Sequence, residues 1–269
     1  MTSNIRITLA GCGKMGSALL EGWARAFPHY EFGALDPHAI PRALSSKVTH
    51  ATNAAELSNF IAASDVIILA VKPQVMEEVC KQLAPHIKNG ALILSIAAGQ
   101  SLARFADYFS ANQPVIRAMP NTPAAIGKGM SVAIANQNVT PDQRQSAHAL
   151  LQSAGLIEWV EDEALLDAVT AVSGSGPAYV FYLIEALAAA AQSAGLTPEL
   201  SQTLARQTII GSAALAESAP EIDAATLRQN VTSPGGTTAA ALEILMNGDL
   251  QGIMNKAITA AKTRSEELN

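Results

Sequence analysis

The stretch Ile5-Arg6-Ile7-Thr8-Leu9-Ala10-Gly11-Cys12-Gly13-Lys14-Met15-Gly16 decides the fold. Residues 5–10 form a short aliphatic and β-branched run that reads as a strand. Residues 15–26 carry the apolar spacing of a helix. Between them the glycines have separate tasks. Gly11 permits the tight turn, Gly13 lets the backbone approach a pyrophosphate, and Gly16 allows close packing of helix on strand. The start of the helix offers unpaired N–H groups and the positive end of its dipole to an anion. A glycine-rich turn that binds nothing is the alternative, and the strand before, the helix after and the place near the N-terminus weigh against it. Gly11, Cys12, Gly13, Lys14, Met15 and Gly16 are therefore candidate contacts for NAD(H) or NADP(H).

Working outward, strands are predicted at residues 31–35, 65–70, 91–96 and 115–118, with a helix at 54–62. This is the rhythm of βαβ units and of a doubly wound sheet. Thr140-Pro141-Asp142-Gln143 opens a further helix, with Thr140 as N-cap, Pro141 at the first helical position and Gln143 completing a capping box. Residues 156–160 supply a closing strand. Beyond residue 160 the strand signals stop, and helical periodicity marks 164–171, 178–194, 198–219, 224–230, 237–247 and 250–267. Gly174, Gly176 and Pro177 should interrupt or join helices, through close packing or ligand contact. The fold class is α/β: a Rossmann-type doubly wound sheet in residues 1–160, then an all-helical C-terminal domain in 161–269.

Asp36 ends the second predicted strand about twenty residues past the last glycine. A carboxylate there accepts hydrogen bonds from both adenosine ribose hydroxyls and repels a 2′-phosphate, which favours NAD. The dipeptide Asp36-Pro37 is also a turn signal in its own right, and Arg42 is the nearest downstream cation. The preference between NADH and NADPH stays open at this point.

Composition narrows the partners. Only 15% of the 269 residues are charged and 4% are aromatic, so the core must be built from Ala, Val, Ile and Leu. A net charge of −6 with no concentrated basic face argues against nucleic acid. The apolar runs are too short to span a bilayer, so no membrane association is expected. Met1-Thr2-Ser3-Asn4-Ile5-Arg6 carries no signal-peptide pattern, and Cys12 and Cys80 build neither a disulfide framework nor a metal site. These signs point to the cytoplasm, with no metal.

Further segments go beyond a generic dinucleotide fold. They are Val71-Lys72-Pro73-Gln74, Ser95-Ile96-Ala97-Ala98-Gly99, Arg117-Ala118-Met119-Pro120-Asn121-Thr122-Pro123, Ser173-Gly174-Ser175-Gly176-Pro177-Ala178-Tyr179 and Asn230-Val231-Thr232-Ser233-Pro234-Gly235-Gly236-Thr237-Thr238. In order and spacing the chain resembles the pyrroline-5-carboxylate reductase family over essentially its whole length. The resemblance implies reduction of Δ1-pyrroline-5-carboxylate to L-proline by NAD(P)H, in homo-oligomers that are at least dimers through the helical domain. It places Val71, Lys72 and Pro73 along the cofactor cleft, Ala97, Ala98 and Asn121 near the nicotinamide, and Asn53 near the adenosine half. It puts Glu163 and Asn230 at the substrate pocket. Taken alone, Lys72-Pro73 also reads as a helix start with a solvated lysine, and Asn121 as a turn residue between prolines. Many members carry a small or basic residue where this chain has Asp36.

Ser233, Pro234, Gly235 and Gly236 lead into the helix that begins near Thr237. Such a turn aims backbone N–H groups outward, toward a substrate carboxylate. Plain capping by Ser233 or Thr237 is the alternative. The Thr238 hydroxyl would then bond the ring nitrogen as the catalytic contact, a role the resemblance supports. The helical half contains no histidine. Ketone reduction usually uses a Lys, His or Tyr acid, whereas an iminium arrives protonated, so the sequence favours C=N over C=O chemistry. A hydroxy-acid dehydrogenase and a non-enzymatic nicotinamide sensor remain as rivals. The apolar helix at 182–194 shows apolar residues on more than one face, which points to a partner subunit.

Overall fold

The structure, a computed structural model, describes residues 4–268. Met1, Thr2 and Ser3, part of the stretch read for a signal peptide, lie outside the described residues. The chain divides into two compact units, Met1–Ser175 with Ala261–Asn269, and Gly176–Ala260.

The first unit is built on an eight-stranded sheet, ordered β3-β2-β1-β4-β5-β6-β7-β8. The strands are β1 (Arg6–Ala10), β2 (Glu31–Leu35), β3 (Val48–Ala51), β4 (Val66–Leu69), β5 (Leu92–Ser95), β6 (Val115–Met119), β7 (Gly129–Ala135) and β8 (Gly155–Trp159). β1 to β6 run parallel, in the order expected of a doubly wound dinucleotide fold. β7 turns back antiparallel to β6, and β8 lies parallel to β7. β3 and β7 add to the strands expected from the sequence.

Helices α1 (Lys14–Ala26), α2 (Ser58–Ala63), α3 (Pro73–Leu83), α4 (Leu102–Tyr108) and α5 (Pro141–Gln152) accompany the sheet. The central strand β4, Val66-Ile67-Ile68-Leu69, is apolar along its whole length because both its faces are covered. In β4, Val66 and Ile68 join one buried cluster with Leu19, Leu20 and Trp23 of α1, while Ile67 and Leu69 join another with Met76, Cys80 and Leu83 of α3. Each such burial contributes roughly 1.5–3 kcal/mol. Trp23 carries its indole N–H into this interior and donates it to the Leu150 carbonyl at 2.9 Å, joining α1 to α5. The capping box of α5 is present in full: Thr140 Oγ1 accepts from the Gln143 N–H at 3.3 Å, and Gln143 Oε1 accepts from the Thr140 N–H at 3.0 Å.

The last strand ends at Trp159, yet the compact unit runs on through α6 (Leu165–Val169) and a π-type turn, Thr170–Gly174. The physical reason is that Leu166 of α6 packs with Val132 and Ile134 of β7. Gly174 serves close packing here, since a Cβ on it would lie 2.7 Å from the Met119 Cε. Residues of the far C-terminus also belong to this unit. Ser265 donates its hydroxyl to Asp167 at 2.7 Å, and the Leu268 carbonyl fills the space left by the missing Cβ of Gly99, whose φ is +67°.

The second unit is helical throughout. α7 (Gly176–Ser193) and α8 (Pro198–Ser218) are followed by α9 (Ala224–Asn230), α10 (Thr237–Leu245) and the leading part of α11 (Asp249–Glu266). Gly195, at φ +99°, makes the turn out of α7, and Thr197 and Asp223 cap α8 and α9. Within this unit Phe181, Tyr182, Ile244 and Ile253 are 59, 71, 72 and 61% exposed. No described helix is long and apolar enough to cross a membrane.

Candidate active site

In a parallel sheet the loops that follow the strands share one edge, and the strand order reverses between β1 and β4. Residues 11–16 follow β1, Asp36 follows β2, Asn53 follows β3, Val71, Lys72 and Pro73 follow β4, Ala97 and Ala98 follow β5, and Asn121 follows β6. The topology thus brings all the expected cofactor-side residues to one edge.

The three glycines meet three different constraints. Gly11 has φ +99°, and a Cβ on it would lie 2.8 Å from both the Ala70 carbonyl oxygen and the Val71 Cγ1. A Cβ on Gly16 would lie 2.1 Å from the Gly11 carbonyl oxygen. A Cβ on Gly13 would meet nothing within 4 Å. The first and third glycines are therefore required by the chain itself, whereas the second faces open space. Gly13 is also the N-cap of α1, and no side chain caps it. The first N–H groups of this helix have no intrahelical partner and present a positive end at the same opening. Lys14 is exposed beside it, and Met15 packs against the core.

Cys12 is tied down on both sides. Its N–H donates to Asp36 Oδ2 at 2.6 Å, and its carbonyl accepts from the Ser17 hydroxyl at 2.6 Å. Burial, with the Asp36 carboxylate adding to it, pushes the Cys12 thiol up to about 12. The thiol is neutral and weakly nucleophilic at neutral pH. The other Asp36 oxygen accepts from the His38 N–H at 2.8 Å, so this residue serves its own turn as well as facing the edge. The Asn53 amide donates to Glu56 Oε1 at 2.6 Å. Glu56 is not among the expected residues; the spacing Asn53-Ala54-Ala55-Glu56 is a capping pattern and is the available signal.

Lys72 occupies the N-cap of α3, with Pro73 at the first helical position, and its side chain is exposed. It begins a helix at the same sheet edge as the glycine turn. Ala97 and Ala98 are half-buried, with the Ala97 N–H 3.3 Å from Ser95 Oγ. Asn121 is a staple: its Oδ1 accepts from the Met130 N–H at 2.9 Å and its Nδ2 donates to the Ser173 carbonyl at 3.0 Å.

Glu163 is placed differently from these. It pairs with the buried Arg117 guanidinium of β6 and accepts from the Leu102 N–H at 2.8 Å, at the start of α4. The remaining expected substrate residues belong to the second unit. There Asn230 ends α9 and is exposed. Ser233, Pro234, Gly235 and Gly236 form a turn closed by the Gly236 N–H on the Ser233 carbonyl at 3.0 Å, with Gly235 at φ +66°. Proline second and a positive-φ glycine third is the pattern of a type II turn. Gly236 is the N-cap of α10 and brings no side chain to cap it. The N–H groups of Thr237 and Thr238 open this helix without an intrahelical acceptor, and Thr238 is half-buried.

A family profile described as pyrroline-5-carboxylate reductase dimerisation matches residues 163–268, and one described as NADP oxidoreductase coenzyme F420-dependent matches residues 6–99. The pyrroline-5-carboxylate reductase of Pseudomonas aeruginosa is 41% identical over 267 residues, covering 99% of this chain and 97% of its own length. The chain belongs to the pyrroline-5-carboxylate reductase family. Among solved structures, the Coxiella burnetii pyrroline-5-carboxylate reductase superposes with a TM-score of 0.91 at 32% identity, with 99% of each chain covered. The Plasmodium falciparum pyrroline carboxylate reductase, whose structure holds NADP, gives 0.84 at 30% identity, with 98% of each chain covered. Family membership makes the chain an oxidoreductase with a pyridine-nucleotide site, and the open Gly13 face and uncapped α1 terminus fit such a group.

Proposed function

We propose that the chain reduces Δ1-pyrroline-5-carboxylate to L-proline with NAD(P)H, the last step of proline biosynthesis. The observation that carries the reading is the likeness to reductases of this name over nearly the full length of both chains. Bound NAD(P)H supplies the hydride that reduces the C=N bond. The protein's part is to hold, orient and exclude water.

The backbone N–H groups of Thr237 and Thr238, behind the turn formed by Ser233, Pro234, Gly235 and Gly236, receive the substrate carboxylate. Asn230 lines the same pocket. The Thr238 hydroxyl bonds the ring nitrogen and fixes which face of the imine is presented. The iminium arrives protonated, and hydride addition at its carbon gives the neutral secondary amine. That amine takes one further proton from water to leave charged, so no protein acid is needed. Residues 11–16, Asp36, Asn53, Val71, Lys72, Pro73, Ala97, Ala98 and Asn121 hold the coenzyme. The second unit's exposed Phe181, Tyr182, Ile244 and Ile253 are covered in a homodimer or larger homo-oligomer, working in the cytoplasm.

The test is loss of reduced-nicotinamide absorbance with purified protein and Δ1-pyrroline-5-carboxylate. Proline as product supports the reading, while coenzyme binding without turnover overturns it. Thr238→Ala is expected to lower kcat/KM by about 10- to 100-fold, the loss of one orienting hydrogen bond, without abolishing turnover. A collapse of about a million-fold, as for a deleted nucleophile, would show that the role is wrong.

A further inference from the structure

Which of the two coenzymes is taken is decided by chemistry at the ends of β2 and β3. NADPH differs from NADH by a 2′-phosphate on the adenosine ribose, and the end of β2 is where that ribose lies in folds of this plan. Asp36 stands there with its carboxylate fixed. One oxygen accepts from the Cys12 N–H at 2.6 Å and the other from the His38 N–H at 2.8 Å. The side chain cannot turn away from an incoming phosphate without breaking its bonds to the Cys12 and His38 N–H groups.

A second carboxylate stands on the neighbouring strand end. Leu35 of β2 pairs with Ala51 of β3, and the Asp36 N–H donates to the Ala51 carbonyl at 3.2 Å. The turn that follows β3 carries Glu56. Its Oε2 lies 3.2 Å from the Thr52 N–H, and its Oε1 accepts from the Asn53 amide at 2.6 Å. The Thr52 backbone bond first, and the Asn53 amide after it, hold its carboxyl below the usual range. Of the neighbouring basic side chains, His50 meets the Asp36 carbonyl at 3.0 Å and adds the last and smallest of the attractions that hold the Glu56 carboxyl down. Arg42 is exposed and, among the described residues, pairs with neither carboxylate.

We propose that Asp36 and Glu56 act together to make the chain selective for NADH, Asp36 accepting the ribose hydroxyls and Glu56 adding a second negative charge against a 2′-phosphate. This rests on the reading of residues 11–16 as the dinucleotide turn.

The test is direct binding, by fluorescence or calorimetric titration of the full chain with NADH and NADPH, no substrate present. NADH is expected to bind about 30- to 100-fold more tightly, a difference of the size that like-charge contacts produce. Added salt should narrow the ratio, since screening weakens the repulsion. D36S, whose hydroxyl keeps an acceptor for the Cys12 N–H, should bring the two affinities within about threefold. E56Q keeps an acceptor for the Thr52 N–H and should improve NADPH binding by roughly 3- to 10-fold, with a smaller change for NADH. Equal or tighter NADPH binding by the parent protein overturns the proposal, and an unchanged ratio in E56Q removes Glu56 from it. Binding of neither coenzyme would instead refute the dinucleotide reading itself.

Discussion

Gly13→Val is expected to weaken NADH binding by about 100- to 10,000-fold while shifting the melting temperature by only about 2–4 °C. The two halves of this expectation have separate causes. The site of the new side chain is empty: a Cβ on Gly13 has no heavy atom within 4 Å, and the residue's φ of −64° is one that valine adopts freely. What the fold loses is a favourable N-cap residue, worth about 1 kcal/mol or less. What the coenzyme loses is the approach to the first N–H groups of α1. Two charge-assisted hydrogen bonds there are worth about 1.5–3 kcal/mol each, which sets the range of the expected loss. Gly16 would not serve for this experiment, because a Cβ there lies 2.1 Å from the Gly11 carbonyl oxygen and breaks the turn. Titration with NADH beside a thermal melt checks both halves. Unchanged affinity in a folded variant would remove residues 11–16 from the site.

The contrast between these glycines explains why so much of the first unit is legible in the sequence alone. A strand, a glycine turn and a helix in immediate succession are local, and Gly11 and Gly16 answer constraints set by the turn itself and the strand end beside it. The same holds for the capping box of α5, which lies within Thr140 and Gln143. β3 is not legible because it is a four-residue edge strand, Val48-Thr49-His50-Ala51, in which only the two ends are buried apolar residues. β7 escapes for the opposite reason. Met130, Val132 and Ile134 alternate with the small residues Gly129, Ser131, Ala133 and Ala135. Large side chains thus alternate with small ones rather than apolar with strongly polar ones, and no large β-branched run announces the strand. Glu56 lies in plain view as a capping residue. Its place at the same edge as Asp36 follows from the pairing of β2 with β3, which no local pattern states. The extension of the first unit past Trp159 has the same character, since Leu166 finds its neighbours on β7.

Glu163 is the sharpest case, and its replacement by alanine is expected to cost about 3 kcal/mol of stability, with kinetic constants of the folded enzyme changed less than about threefold. The family resemblance sets this residue at the substrate pocket. In the structure its Oε1 meets two groups of the first unit, the Arg117 guanidinium and the Leu102 N–H at 2.8 Å. Arg117 is only 7% exposed, and its Nε has no hydrogen-bond partner among the described residues. Removing Glu163 would leave this cation buried without its counter-charge, the circumstance in which breaking a pair costs about 3–5 kcal/mol. Glu163 is itself 31% exposed on its side chain, so solvent offsets part of that cost and the lower end of the range applies. At about 2–4 °C per kcal/mol, the melting temperature should fall by roughly 6–12 °C. Glu163→Gln keeps an acceptor for Leu102 and loses only the charge, and should fall between the parent and alanine. Thermal melts with steady-state kinetics on both variants separate the two roles. If the alanine variant melts with the parent while KM for Δ1-pyrroline-5-carboxylate rises about tenfold or more, Glu163 belongs to the substrate and not to Arg117.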